Sequence, residues 1–242
     1  DPLEKVIRLA SGKRPEYRFT YLLAQLNSYA GNPDKAIELY RKVVKMNPPY
    51  DVEFNARINI AGVFDVSSGN TENLRKELEK MLRDSKNKEF LDQIYYALGN
   101  LTMKEGNETE AIDFFRKSAS SPSTNPNQKG RSYLALADYF YKKPDYISAG
   151  KYYDSTVYFL DAKHPDYQTI RTKSLELNIL VDELKIIQEE DSLQHVASME
   201  PGERNALITK IISDAVKKES ESTSTEYTDR YNIGQYYENE RR

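Results

Sequence analysis

Apolar and small residues recur along this chain in a fixed order. Leu23-Ala24, Ala61-Gly62, Leu98-Gly99 and Leu136-Ala137 align, with their second members 38, 37 and 38 residues apart. Seven residues after each small residue stand Gly31, Gly69, Gly106 and Pro144. Five further on come Ala36, Leu74, Ala111 and Ala149, and four beyond those Tyr40, Leu78, Phe115 and Tyr153. One register accounts for all four rows. Self-similarity at such a period marks an array of small supersecondary units, each burying its faces against its neighbours.

The spacing predicts a helix–turn–helix unit. The small residue lets two helices approach closely, and the aromatic or leucine four residues after the Ala position fills the gap between them. Gly31, Gly69 and Gly106 suit the left-handed residue that ends a first helix. Asn32, Asn70 and Asn107 follow directly and can cap the second. In the fourth unit Pro144 stops the first helix and Asp145 caps the next. Units are expected over 15–50, 51–88, 89–126 and 127–164. Residues 1–12 carry Leu3, Val6, Ile7 and Ala10 at helical spacing and read as the second helix of a truncated preceding unit.

After the fourth unit, 165–219 reads as a long helix followed by a capping helix. Over 166–190, Ile170, Leu177, Leu180, Leu184 and Ile187 form one stripe, and Leu175, Ile179 and Ile186 a second, which suggests burial on two sides. A short helix is expected next, then a break at Pro201-Gly202. A final helix near 203–218 follows, with Ile208, Ile211, Ile212 and Ala215 suited to capping the stack. Residues 220–242 lack periodicity and read as a polar, flexible tail or partner-binding segment.

Composition agrees with many small interfaces beneath a wet surface. Of 242 residues 38% are apolar and 30% charged, and 35 Lys and Arg nearly balance 38 Asp and Glu. The net charge of −3 leaves no basic excess to grip nucleic acid. No apolar run approaches the ~18 residues of a membrane span. The chain begins Asp1-Pro2-Leu3 without an initiator Met, signal region or lipid-bearing cysteine, and so reads as an excised piece. Any membrane attachment would then come through an anchor outside it.

Catalytic chemistry finds few candidates. With no Cys and only His164 and His195, thiolate nucleophiles and zinc sites of the Cys/His type are disfavoured, and no nucleophile elbow surrounds a serine. His164 falls in a Lys163-His164-Pro165 turn. His195 sits on a helix beside Val196. Carboxylate clusters such as Glu108-Thr109-Glu110 and Glu189-Glu190-Asp191 lie on expected surfaces and suit capping and solvation. No nucleotide-binding motif occurs, and no cofactor or metal is expected. Asn100 and Asn107 stand in glycosylation sequons, which are common by chance.

The segments "YLLAQLNSYAGNPDKAIELYRKVVKMNP" and "YYALGNLTMKEGNETEAIDFFRKS" resemble the tetratricopeptide (TPR) repeat. "INIAGVFDVSSGNTENLRKELEKML" is a degenerate copy with Leu74 in place of Ala. "PPYDVE", "DSKNKEF", "PSTNPNQ" and "AKHPDY" lengthen the unit beyond the family's 34 residues. The resemblance implies an all-α, right-handed TPR-like superhelix whose first helices line a concave, protein-binding face. Carried onto this chain, that face offers Arg18, Tyr21, Gln25 and Ser28, then Asn59 and Val63. Gln93, Tyr96, Asn100 and Met103 come from the third unit, and Arg131, Leu134, Asp138 and Tyr141 from the fourth. Where chaperone-docking members carry a clamping Lys, this chain has Tyr21, Asn59, Tyr96 and Leu134, so that clamp is absent. Tyr133, Tyr146 and Tyr153 occupy repeat-core positions. Tyr139, Tyr141, Tyr152, Tyr158 and Tyr167 exceed what a repeat requires, and serve either a partner surface or packing against the long helix.

A narrower resemblance is carried by "KMNPPYDVEFNARINIA", "DQIYYALGNLTMKEGN", "SYLALADYFYKKPDYISAGKYYDS" and "DSLQHVASMEPGERNALITKII". These are similar to the PorW/SprE-type TPR lipoproteins of the type IX secretion and gliding-motility machinery of Bacteroidetes. That resemblance implies a non-enzymatic scaffold, periplasmic and anchored to the outer membrane, with machinery proteins or a peptide or helix ligand as partners. The alternative expectation is a nutrient- or glycan-binding helical lipoprotein of the outer membrane.

Overall fold

The computed structural model describes residues 13–64, 71–123 and 125–217, and among them every regular element is helical. In chain order these are α1 (Lys13–Tyr29), α2 (Pro33–Lys45), α3 (Tyr50–Val63) and α4 (Thr71–Arg83), then a 3-10 turn at Ser85–Phe90. They continue with α5 (Leu91–Lys104), α6 (Glu108–Ser120), α7 (Pro126–Lys142), α8 (Tyr146–Phe159) and α9 (Tyr167–Ser198), and α10 over 201–217. The readings placed on 1–12, Gly69, Asn70 and the tail 220–242 lie outside the described residues. By backbone contacts the chain divides into two compact units, Asp1–Val181 and Asp182–Arg242.

The first unit is a row of helical hairpins. α1 packs on α2, α5 on α6 and α7 on α8, while each of α2, α4 and α6 leans on the first helix of the next hairpin. The repeat positions build these interfaces. Ala36, Ala111 and Ala149 are fully buried, and Tyr40, Leu78, Phe115 and Tyr153 fill the gaps beside them. Gly31 and Gly106 hold φ of +76° and +84°, the left-handed conformation that glycine adopts without a Cβ penalty. Asn107 and Asp145 cap α6 and α8 by accepting the Glu110 and Ser148 amides at 3.4 and 3.0 Å. Asn32 makes no such side-chain bond; Pro33 begins α2 there instead, needing no amide partner.

In the second hairpin the register differs from the sequence expectation by one residue. Ala61 is fully buried, whereas Gly62 is exposed and a Cβ there would meet nothing within 4 Å. The equivalent positions are therefore Ala24, Ala61, Gly99 and Ala137. Both Ala61 and Gly62 are small, so the pattern alone could not choose; the side that Ile60 and Phe54 bury decides it.

That hairpin is also opened. α3 and α4 do not pack closely along their backbones, unlike the helices of the other three. Leu74 occupies the place held by alanine in the other second helices and is itself buried. The gap is bridged by polar side chains: Arg57 binds Glu53 at 2.8 Å on its own helix and Glu77 on α4. Tyr50 donates to Asn87 Oδ1 at 2.5 Å, and Asn87 Nδ2 donates to the Met81 carbonyl at 2.8 Å.

The long helix departs from expectation in two ways. It runs unbroken to Ser198, absorbing the expected short helix, because no Gly or Pro interrupts it before Pro201. Pro201 then opens α10, suited to a first turn whose amides need no intrahelical partner. Of the first expected stripe only Ile170 and Leu177 are buried, in line with Ser174 and Val181, whereas Leu180 and Ile187 are exposed. The second stripe is exposed, with Leu175 at 57%, Ile179 at 67% and Ile186 at 56%. Ile208, Ile211 and Ile212, expected as a capping face, are exposed as well.

Candidate protein-binding face

The first helices α3, α5 and α7 lie side by side, so side chains on their outer surface form one continuous candidate face. Lys104 ties two of these helices at one end. Its Nζ donates to the Gly62 and Phe64 carbonyls, each at 2.9 Å, satisfying the open C-terminus of α3.

Several expected face residues are instead engaged within the fold. Asn59 Nδ2 donates to the Tyr21 hydroxyl oxygen at 2.8 Å, joining α1 to α3. With Ala61 in the small-residue place, Asn59 sits one step round α3 from the position assigned from sequence. Tyr21 meets Tyr40 edge-on at 5.5 Å. Burial raises both hydroxyls against the opposing Asn59 bond, and Tyr40 reaches about 12 with the Tyr21 charge adding to it. Val63 packs against the same core.

In the fourth hairpin Asp138 and Tyr141 are brought together. Asp138 Oδ1 accepts from the buried Tyr153 hydroxyl at 2.5 Å. Lys173 of α9 stands 3.9 Å from that carboxylate and 3.7 Å above the Tyr141 ring centroid. Burial first, then the Asp138 carboxylate, drives the Tyr153 hydroxyl far above its ordinary range. This cluster fastens α7 and α8 to α9. Phe140 and Tyr133 stack on Tyr152, Tyr139 reaches Glu108 at 3.3 Å, and Tyr167 donates to the Val157 carbonyl at 3.3 Å. The surplus tyrosines therefore mostly pack, and Tyr158 alone of them is left strongly exposed, at 81%.

Arg18, Gln25 and Arg131 are exposed, and among the described residues Arg18 and Arg131 have no ion-pair partner. Tyr96 and Asn100 are half-buried on α5, with the Tyr96 ring 5.7 Å from Phe115. Gln93, Met103 and Leu134 are half-buried as well, and so is Ser28 on α1. These residues are spread along successive helices and do not converge on one pocket.

Two structural centres escaped the sequence reading. Arg75 on α4 reaches Glu105 at 2.5 Å, Thr102 at 3.0 Å and Glu110 at 2.9 Å, spanning the third hairpin. Burial opposes ionisation of Glu105, but hydrogen bonds from Thr71 and Arg75 and the Arg75 charge prevail and hold it below its usual range. Asp92 is buried at the head of α5, accepting from Ser123 at 2.5 Å and the Gln93 amide at 2.8 Å; burial outweighs both bonds and raises its carboxyl. A groove of about 860 Å³ lies among α2, α3 and α4, its lining including Ile37, Ile60, Phe64 and Leu74 together with Arg41 and Lys45. Leu74 in an alanine position was its only sequence signal.

Among the described residues no cluster of His, Asp or Glu could hold a metal ion, and no helix is long and apolar enough to cross a membrane. His164 lies in a turn, its Nδ1 accepting the Asp166 amide at 3.3 Å, and His195 is exposed on α9.

No curated protein matches the chain. The tetratricopeptide repeat family model matches residues 17–50 and 92–125, the first and third hairpins. Chain and structure together describe an all-α, TPR-like solenoid that carries tetratricopeptide repeats.

Proposed function

We propose that the chain is a non-enzymatic scaffold that binds other proteins across the outer surface of its first helices. The observation carrying this reading is the pair Arg18 and Arg131. Both are exposed arginines without an ionic partner among the described residues, one on the first helix of the first hairpin and one on that of the fourth. Arginine and tyrosine are the usual anchors of protein interfaces, and Tyr96 lies between these two along the chain. Gln25 and Asn100 would supply hydrogen bonds to an extended segment.

The partners we propose are components of a type IX secretion and gliding complex, with the protein periplasmic and held at the outer membrane by an anchor outside this sequence. The support is the similarity of four phrases to the lipoproteins of that machinery. Purification of the tagged protein from native envelopes tests both levels. The scaffold reading expects co-purifying proteins that are lost from an Arg18→Glu/Arg131→Glu variant of unchanged circular dichroism. Secretion proteins among them, with impaired secretion in a deletion strain, support the finer reading. Unaltered co-purification by the variant defeats the proposed face, and normal secretion without machinery proteins defeats the secretion role.

A further inference from the structure

We propose that residues 182–217 form a second docking surface, separate from the first-helix face, for an amphipathic helix of another protein whose apolar side is bordered by Lys and Arg. Here the later part of α9 and α10 are joined at Met199-Glu200, where Arg204 Nη2 donates to the Met199 carbonyl at 2.9 Å and to that of Ala197 at 3.3 Å. Between them lies a cleft of about 580 Å³ whose apolar wall is Leu193, Val196 and Ile211. Leu193 is 64% exposed and Ile211 57%. Ile208, Ile212 and Val216 continue this face along α10, all exposed. A contiguous exposed apolar face on two successive helices, rimmed by charge, marks a surface that something covers.

Charge selects the occupant. These residues hold eight carboxylates against four Lys and Arg. Asp182, Glu183, Glu189 and Glu190 encircle exposed Ile186 at three and four residues on either side, the spacing that places side chains on one helical face. Asp182 is paired with Lys185 at 3.0 Å, whereas Glu183, Glu189 and Glu190 have no ionic or hydrogen-bonded side-chain partner among the described residues. A second copy docked face to face would set carboxylates against carboxylates, and an anionic lipid surface would be repelled. A helix that inserts apolar side chains into the cleft while its basic border meets the free glutamates satisfies both features, as in helix-in-groove recognition.

Because the chain has no cysteine, a single Ser192→Cys substitution accepts an environment-sensitive fluorophore at the cleft without competing sites. The labelled full chain would be titrated with two designed helical peptides of identical Leu and Ile face, one bordered by Lys and Arg and the other by Glu. The expected result is a saturable blue shift with the basic peptide and binding at least about tenfold weaker for the acidic one. Glu183→Gln/Glu189→Gln/Glu190→Gln should weaken the basic peptide to a similar degree. Ile211→Asp should abolish the shift while leaving the far-ultraviolet circular dichroism unchanged. Equal binding of the two peptides, or binding of neither, overturns the proposal. So does a dimer in sedimentation that Ile211→Asp dissociates, which would make a second copy the occupant.

Discussion

The Phe115 ring lies across Gly99 so closely that a Cβ on the glycine would stand 2.6 Å from Cε1. This contact sets the spacing of α5 and α6, and Ala36, Ala111 and Ala149 serve the corresponding close approaches in their own hairpins. Gly99→Ala must displace a buried ring, and is expected to cost about 1–3 kcal/mol in urea unfolding. Gly62→Ala, the position aligned with Gly99 by sequence, has open space and should stay within about 0.5 kcal/mol of the parent. Equal losses at the two glycines would restore the register read from the sequence.

Arg75 is the tie between the opened second hairpin and the third. Arg75→Met leaves Glu105 without its cation and is expected to lose about 1–3 kcal/mol. The sign of its pH dependence follows from Glu105, whose carboxyl is held low in the folded state. Stability from such a group is present above the unfolded carboxyl pKa and is lost as pH falls through the folded value. Arg75→Met should therefore show a shallower loss than the parent on acidification below about pH 4.5. Parallel stability–pH curves for the two proteins would contradict this role.

Asp92 acts in the opposite sense. Burial holds its carboxyl high, so its contribution is fullest below the unfolded carboxyl pKa and is lost as pH rises through the folded value. Asp92→Asn keeps an acceptor for the Gln93 amide and carries no charge. Its stability relative to the parent should improve as pH rises from about 4 to about 7. A difference that does not vary with pH would show that Asp92 titrates as it does in the unfolded chain.

Lys173 and Tyr141 should couple through the ring and not the hydroxyl. Tyr141→Phe is expected to be neutral, while Tyr141→Ala and Lys173→Met should each cost about 1 kcal/mol. A double-mutant cycle between Tyr141→Ala and Lys173→Met gives the pair energy; a coupling of zero would remove the cation–ring contact from what holds α9.

The hairpins were legible because a close helix–helix contact demands a small residue and a filler at fixed separations, and Ala36 with Tyr40 or Ala111 with Phe115 display that demand. The register of the second hairpin was not, since alanine and glycine meet the demand equally well. Leu74 was visible as a departure, but that its hairpin is opened emerges only in three dimensions. The apolar stripe of Leu175, Ile179 and Ile186 illustrates a different limit: periodicity shows that a helix has an apolar face, not whether the same chain supplies its cover. For the residues expected on the binding face, the structure gives only their surroundings. Arg18, Gln25 and Arg131 are exposed, whereas Tyr21, Asn59, Asp138 and Tyr141 have partners 15 to 38 residues away that no local pattern announces.

Site-specific photo-crosslinking in the protein's own cells tests the binding face most directly. A photoreactive amino acid would replace Tyr96, Arg131 or Tyr158 in turn in the full-length protein, with Tyr158 as the exposed control on a second helix. The account predicts discrete adducts with other proteins from positions 96 and 131 and none from 158. Adducts from 158 alone, or from none of the three, would contradict it.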